Sequence, residues 1–261
     1  SLFTGTEKIQ GEATVNYTKF PHIAGVPKRM HRIIPDAKLI YVVRAPLERI
    51  LSHYVHYIAD GWGTKDLKDL LGDIDTNYYI NCTRYYLQLE QFLEYYPLDQ
   101  ILVIRFEDLK DRRQETLKSV FRFLGVDHEF THPDFGRVFQ PTSKVKWTPL
   151  GDFLNRKLDK NPELIPIVEH LQNKKPHLLG SPVQKPRIES DLKKRILECL
   201  YDDIRKLESL LGWDLSAWYS GIGPETTKTS ALLRLSKHYQ EHGKEDRALY
   251  YAQRARSAEG S

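Results

Sequence analysis

The segment Tyr41-Val42-Val43-Arg44-Ala45-Pro46-Leu47-Glu48-Arg49-Ile50-Leu51-Ser52-His53-Tyr54-Val55-His56 concentrates groups able to bind an anion and move a proton. The guanidinium of Arg44 and the hydroxyl of Ser52, eight residues later, can share one phosphate group. Charge-assisted hydrogen bonds would supply most of the affinity. An apolar, β-branched run ends at Arg44, and Pro46 suits the first turn of a helix, where its missing N–H would go unpaired anyway. Ligands of open α/β sheets lie beyond the carboxyl ends of strands, which is where Arg44 falls. His56 sits one helical turn after Ser52, so the two project from the same face.

Positioning these groups requires strands and helices in alternation. Lys38 to Val43 and Gln100 to Phe106 read as short strands, β-branched and without alternation, as in a parallel sheet covered on both faces. Between them, Asn77 to Tyr96 reads as one helix, with Tyr78, Tyr85, Leu89, Phe92 and Tyr96 at helical spacing and Pro97 as its stop. After the second strand, Asp108 and Asp111 are candidate caps of a helix running through Leu117, Val120, Phe121 and Leu124 to Gly125. His128 to Pro149 reads as a basic loop, and Leu158 to Pro186 shows no clear period. Ile188 to Leu211 reads as a long amphipathic helix closed by Gly212. Strand, helix, strand, helix predicts an α/β fold, a parallel sheet flanked by helices. A Gly/Pro-bearing linker at Ser220 to Pro224 separates it from two short helices around Gly243.

Composition sets outer bounds. The 261 residues are 40% hydrophobic and 28% charged, an ordinary globular balance that argues against disorder. Apolar runs stay far short of the ~20 residues needed to span a bilayer. Two cysteines exclude a disulfide-stapled scaffold, and no Cys/His set has metal-site spacing. A net charge of +4 is too mild for nucleic-acid binding and suits a small anionic ligand. The opening residues lack a basic and an apolar signal region, which points to the cytoplasm while leaving the Golgi lumen open.

The segment from Arg44 resembles the PAPS-dependent sulfotransferases. Their 3′-phosphate motif, R-x-P-x-x-R-x-x-S-x-Y, is matched by Arg44, Pro46, Arg49, Ser52 and Tyr54, all five spaced positions. The resemblance implies that Arg44 and Ser52, with Arg49 beside them, hold the 3′-phosphate of PAPS. His56 matches a histidine of the heparan-type branch that lies near the sulfuryl group. It is a candidate general base, or a hydrogen-bond donor to the sulfuryl oxygens. The resemblance extends over roughly residues 1–219. Gly11-Glu12-Ala13-Thr14-Val15-Asn16-Tyr17 looks like a GEK-S/T-x-x-Y segment in which Ala13 stands where lysine is frequent. Ile101 to Leu109 and Phe123-Leu124-Gly125-Val126 look like the family's middle. Pro141-Thr142-Ser143-Lys144-Val145-Lys146 is similar to its late basic loop and adds Ser143, Lys144 and Lys146 as candidate nucleotide ligands. Arg84 and Tyr85 read as core or cofactor-facing, and Glu107 as a capping or pairing residue.

One signature of the family, a K-x-G-T-T phosphate loop, has no counterpart. Gly5-Thr6-Glu7-Lys8 lacks a preceding strand, and Thr227-Lys228-Thr229-Ser230 lies beyond the expected domain. The resemblance then implies a P-loop NTPase-like sulfotransferase fold over 1–219, entered part-way, whose 5′-side cradle and activity in isolation are in question. The expected reaction is sulfuryl transfer from PAPS to a hydroxyl or amine, releasing PAP, without a metal. The acceptor is a small molecule, a saccharide or a lipid-like group. A non-catalytic binding module and a phosphoryl-transferring relative are the competing readings. After a linker at 220–228, residues 229–258 resemble one tetratricopeptide repeat, with a protein partner as its implied ligand. An ordinary amphipathic helix pair is the alternative.

Overall fold

The computed structural model describes residues 8–137, 145–158, 161–222, 229–241, 243 and 245–259. In chain order the first elements are α1 (Val26–Ile33), β1 (Leu39–Val43), α2 (Pro46–Ala59), α3 (Leu67–Leu71), α4 (Tyr78–Asn81) and α5 (Tyr85–Leu93). Next come β2 (Ile101–Arg105), α6 (Phe106–Asp111), α7 (Arg113–Leu124), β3 (Val145–Trp147), α8 (Pro149–Leu158) and α9 (Ile165–Lys174). The last are α10 (Pro176–Leu179), β4 (Gly180–Pro182), α11 (Ser190–Leu211), α12 (Thr229–Glu241) and α13 (Glu245–Glu259). They form two compact units. The first comprises Ser1–Pro46, Leu71–Gly136 and Ser190–Ser261, the second Leu47–Leu70 and Arg137–Glu189.

In the first unit β1 and β2 pair in parallel, Leu39 opposite Ile101 and Val43 opposite Arg105. Val43, Ile101, Val103 and Ile104 are buried. The expectation of a strand covered on both faces fails for β1. Ile40 and Val42 are 41% and 44% exposed. Tyr41, on the opposite face, meets the Tyr85 ring edge-on at 6.1 Å between centroids.

The expected single helix over 77–96 is instead two, α4 and α5. Asn77 caps α4 through its side-chain oxygen, which accepts from the Tyr79 and Ile80 amides. The Thr83 hydroxyl then bonds back to the Tyr79 carbonyl at 2.7 Å, a local competitor to helix continuation. The new helix start at Tyr85 is satisfied from outside. Asp203 of α11 accepts from the Tyr86 and Leu87 amides at 2.9 and 2.8 Å. Beside it the Arg84 guanidinium is buried, donating to the Cys199 sulfur at 2.9 Å. Burial pulls the Arg84 pKa down, and Cys199, Tyr251, Asp203 and Asp75 more than reverse this. Burial, countered in part by Arg84, pushes the Cys199 thiol up to about 11.

The helix after β2 also breaks in two, at Arg112 between α6 and α7. The expectation that Asp108 or Asp111 caps this helix is not met: neither α6 nor α7 has a side-chain cap, and Asp108 pairs with Arg105 at 2.8 Å and Arg112 at 2.6 Å. Gly125 ends α7 in the left-handed region, φ 76°, as a C-cap that glycine takes without a Cβ penalty. α11 lays Ile196, Leu200, Ile204 and Leu207, all at most 1% exposed, along one stripe.

The two C-terminal helices form as predicted, on either side of Gly243, φ 65°. Their inner face is occupied. Tyr239, Ala248 and Tyr251 form a buried cluster with Leu87, joined by Phe20, Leu232 and Tyr250. The Tyr239 and Tyr251 rings stack 5.6 Å apart, and the Tyr250 hydroxyl donates to Glu90 at 2.5 Å.

In the second unit Val145–Trp147 is a strand within the stretch read as loop over 128–149, and short helices and a strand occupy 162–182, where the sequence shows no period. β3 pairs antiparallel with β4, Lys146 opposite Ser181. Three-residue strands are too short to show a period. Gly151 approaches the Leu179 carbonyl so closely that an added Cβ would lie 1.9 Å from its oxygen, which only glycine allows. No described helix is long and apolar enough to cross a membrane.

Asp203→Ala leaves two buried amides at the α5 start without acceptors. The variant should lose about 2 kcal/mol of stability in urea unfolding, whereas an unchanged midpoint would show that the two amides find other partners.

Candidate anion-binding site

The site begins where β1 ends. The register that sets Val43 opposite Arg105 places Arg44 beside Phe106, and the Arg44 guanidinium lies over the Phe106 ring at 4.7 Å from its centroid. A planar guanidinium stacks well on an aromatic face. The backbone there is held on both sides. The Arg44 amide donates to the Tyr85 hydroxyl oxygen at 3.2 Å, and the Ala45 amide donates to Glu107 Oε1 at 3.0 Å. Tyr85 is 2% exposed and Arg84 5%, so both are core residues, which decides the alternative that the sequence left open. Glu107 is a capping residue, and its Oε2 is buried with no hydrogen-bond partner among the described residues.

The rest of the motif continues along α2. Ile50, Leu51 and Val55 are its buried face, at 1%, 7% and 1% exposure. Arg49, Ser52 and His56 are half-buried. Ser52 and His56 share a face at one-turn spacing. His56 Nδ1 lies 3.8 Å from Asp60 Oδ2, one turn further on. Lys185 Nζ holds Glu48, in the first turn of α2, at 2.5 Å. Tyr54, the last motif residue, has its phenol pKa raised by burial, with Asp66 and Tyr57 adding to the effect.

Of the other predicted ligands, Ser143 and Lys144 lie outside the described residues, as do Gly5-Thr6-Glu7 and Thr227-Lys228. Lys146 is exposed, in strand β3 rather than in a loop. Phe106, Tyr85 and Glu107 are the residues whose part at this site motif reasoning missed. Only the parallel register and the packing of α5 bring them to Arg44. Among the described residues no group of three or more His, Cys, Asp or Glu side chains assembles for a metal.

A parallel strand leading through an arginine into a helix belongs to a mixed helix and sheet fold with a parallel sheet. The comparisons with known proteins narrow this. Residues 1–130 match the profile described as sulfotransferase family. The human heparan sulfate glucosamine 3-O-sulfotransferase 6 is 31% identical over 115 residues, 42% of this chain and 34% of that protein. The bifunctional heparan sulfate N-deacetylase/N-sulfotransferase of Drosophila melanogaster is 30% identical over 118 residues, 39% of this chain and 11% of that protein. The crystal structure of a sulfotransferase from Alicyclobacillus acidocaldarius is similar in fold, with TM-score 0.54 and 24% identity over 80% of this chain and 66% of that one. Over its first 130 residues the chain is thus similar in sequence to sulfotransferases, and over most of its length it is similar in fold to one. The match spans about a third of the length of the first relative and a ninth of the second.

At the end of β2, burial pushes the Asp108 carboxyl up, but hydrogen bonds from Arg112 and Arg105 outweigh it and hold the pKa below the ordinary value. A lowered folded-state pKa contributes stability that is present above the unfolded value and lost as pH falls through the folded one. Asp108→Asn should therefore be less stable than the parent at neutral pH, and the gap should close in the acid range below the ordinary carboxylate value. A gap that persists there in thermal melts would show that charge pairing is not its source.

Proposed function

We propose that this chain is a PAPS-dependent sulfotransferase whose Arg44, Arg49 and Ser52 hold the 3′-phosphate of the nucleotide. The observation that carries the reading is Arg44 itself: it stands at the carboxyl end of a parallel strand, its guanidinium lies on Phe106, and it opens a complete five-position motif. Arg44 and Arg49 supply charge, and the Ser52 hydroxyl supplies a donor from α2. Ser143, Lys144 and Lys146 join this reading as further nucleotide ligands from the later segment. The carbohydrate substrates named for the matched relatives favour a saccharide acceptor over a lipid-like one.

PAPS, when bound, supplies the activated sulfuryl group. The tasks left to the chain are to hold donor and acceptor in line and to stabilise the charge on the equatorial oxygens. His56, one turn from Ser52, takes the acceptor hydroxyl's proton or hydrogen-bonds the sulfuryl oxygens. Asp60, 3.8 Å from its Nδ1, is placed to stabilise the imidazolium that proton uptake would create.

The direct test is calorimetric titration of PAP into the chain. The parent binds, Arg44→Ala abolishes the heat, and Ser52→Ala weakens affinity by roughly tenfold, the worth of one hydrogen bond to a charged group. Absence of PAP binding by the parent chain, or binding that survives Arg44→Ala, would overturn the assignment. His56→Ala should leave the PAP dissociation constant near the parent value while sulfuryl transfer to a heparan-type oligosaccharide falls. A tighter complex with ATP than with PAP would instead favour phosphoryl chemistry.

A further inference from the structure

We infer that Glu107 is a positioning residue that sets the direction of the Arg44 side chain toward its anion; this rests on the proposed 3′-phosphate role of Arg44. The two peptide planes on either side of the Arg44 Cα are each pinned by a side chain from another element. The plane before it carries the Arg44 N–H, held by the Tyr85 hydroxyl of α5. The plane after it carries the Ala45 N–H, held by Glu107 Oε1 at the start of α6. Peptide planes are rigid, so fixing both fixes φ and ψ of the residue between them and hence the direction of its Cα–Cβ bond. The Phe106 ring then sets the far end of the side chain.

Glu107 differs from its neighbour. Asp108 binds two arginines. Glu107 makes a single bond, to a backbone amide, and keeps its other oxygen buried without a partner among the described residues. A buried carboxylate oxygen left unsatisfied does not stabilise the fold. Its negative charge beside Arg44 does not by itself attract an anion. What the side chain supplies is an acceptor at the Ala45 N–H, and an amide oxygen supplies that equally well.

The experiment titrates PAP and 5′-AMP, which lacks the 3′-phosphate, into the parent chain and into Arg44→Ala, Glu107→Ala and Glu107→Gln, with thermal melts on each. The expected result is that Glu107→Ala weakens PAP by about tenfold or more, the scale of a misplaced contact, and leaves 5′-AMP unchanged. The PAP-to-AMP preference then falls toward that of Arg44→Ala. Glu107→Gln retains the preference or raises it, since it keeps the acceptor and removes a negative charge. A merely structural role would lower both ligands together, and that result overturns the inference. Where Glu107→Ala does not fold, Glu107→Gln decides: preference retained supports the inference, and preference lost with a normal melt overturns it. An Arg44→Ala variant that keeps the full preference would sink the 3′-phosphate reading itself. An Arg44-dependent preference indifferent to Glu107→Ala would sink the positioning role alone.

Discussion

The carboxylate of Asp203 organises more of the first unit than its size suggests. It accepts from two successive amides at the start of α5, where a helix would otherwise leave buried donors unsatisfied. That bond ties the α11 stripe to α5, and α5 carries both Tyr85, which reaches the Arg44 amide, and Leu87, which receives the C-terminal helix pair. The carboxylate also lies within the field of the buried Arg84, whose burial would be prohibitive without acidic neighbours. A break in the helical pattern at Cys82 to Arg84 is thus the entry point for a cap from more than a hundred residues away.

From this anchor the geometry passes to the strand end. Parallel pairing aligns the last residues of β1 and β2, so the chain leaves both strands at the same level, Arg44 on one side and Phe106 on the other. The same turn gives two consecutive carboxylates opposite duties. Asp108 is half-exposed between Arg105 and Arg112 and titrates as a paired acid. Glu107 turns inward to one amide. Electrostatics and backbone positioning are separated by one residue of helix.

The second unit contributes the helical continuation of the motif and a small antiparallel pair, β3 with β4. In α2 the apolar residues Ile50, Leu51 and Val55 occupy the buried face. The polar residues beside them, Arg49, Ser52 and His56, are thereby left at the half-buried boundary. Amphipathic spacing places a chemical group here as surely as it places a core.

Periodicity and local chemistry made much of this legible in advance. The two parallel strands, the left-handed glycines at 125 and 243 and the α11 stripe all follow from residues near one another in the chain, whereas the helix expected to run to Pro97 already ends at Leu93. The Arg44-to-His56 spacing is local in the same sense. What stayed hidden depends on partners far apart in sequence. No window reveals that Asp203 interrupts the 77–96 helix, that Lys146 pairs with Ser181 in a strand, or that one face of β1 is left exposed. The same holds for Glu107. From sequence it is a carboxylate in the first turn of a helix, and only the β1–β2 register brings it to the amide beside Arg44. Sequence by itself determined which residues carry the guanidinium, hydroxyl and imidazole groups and at what spacing, because side-chain chemistry and helical spacing are local properties. Tertiary structure alone decided how Arg44 is held, because hydrogen bonds and ring contacts form only between groups that folding brings together.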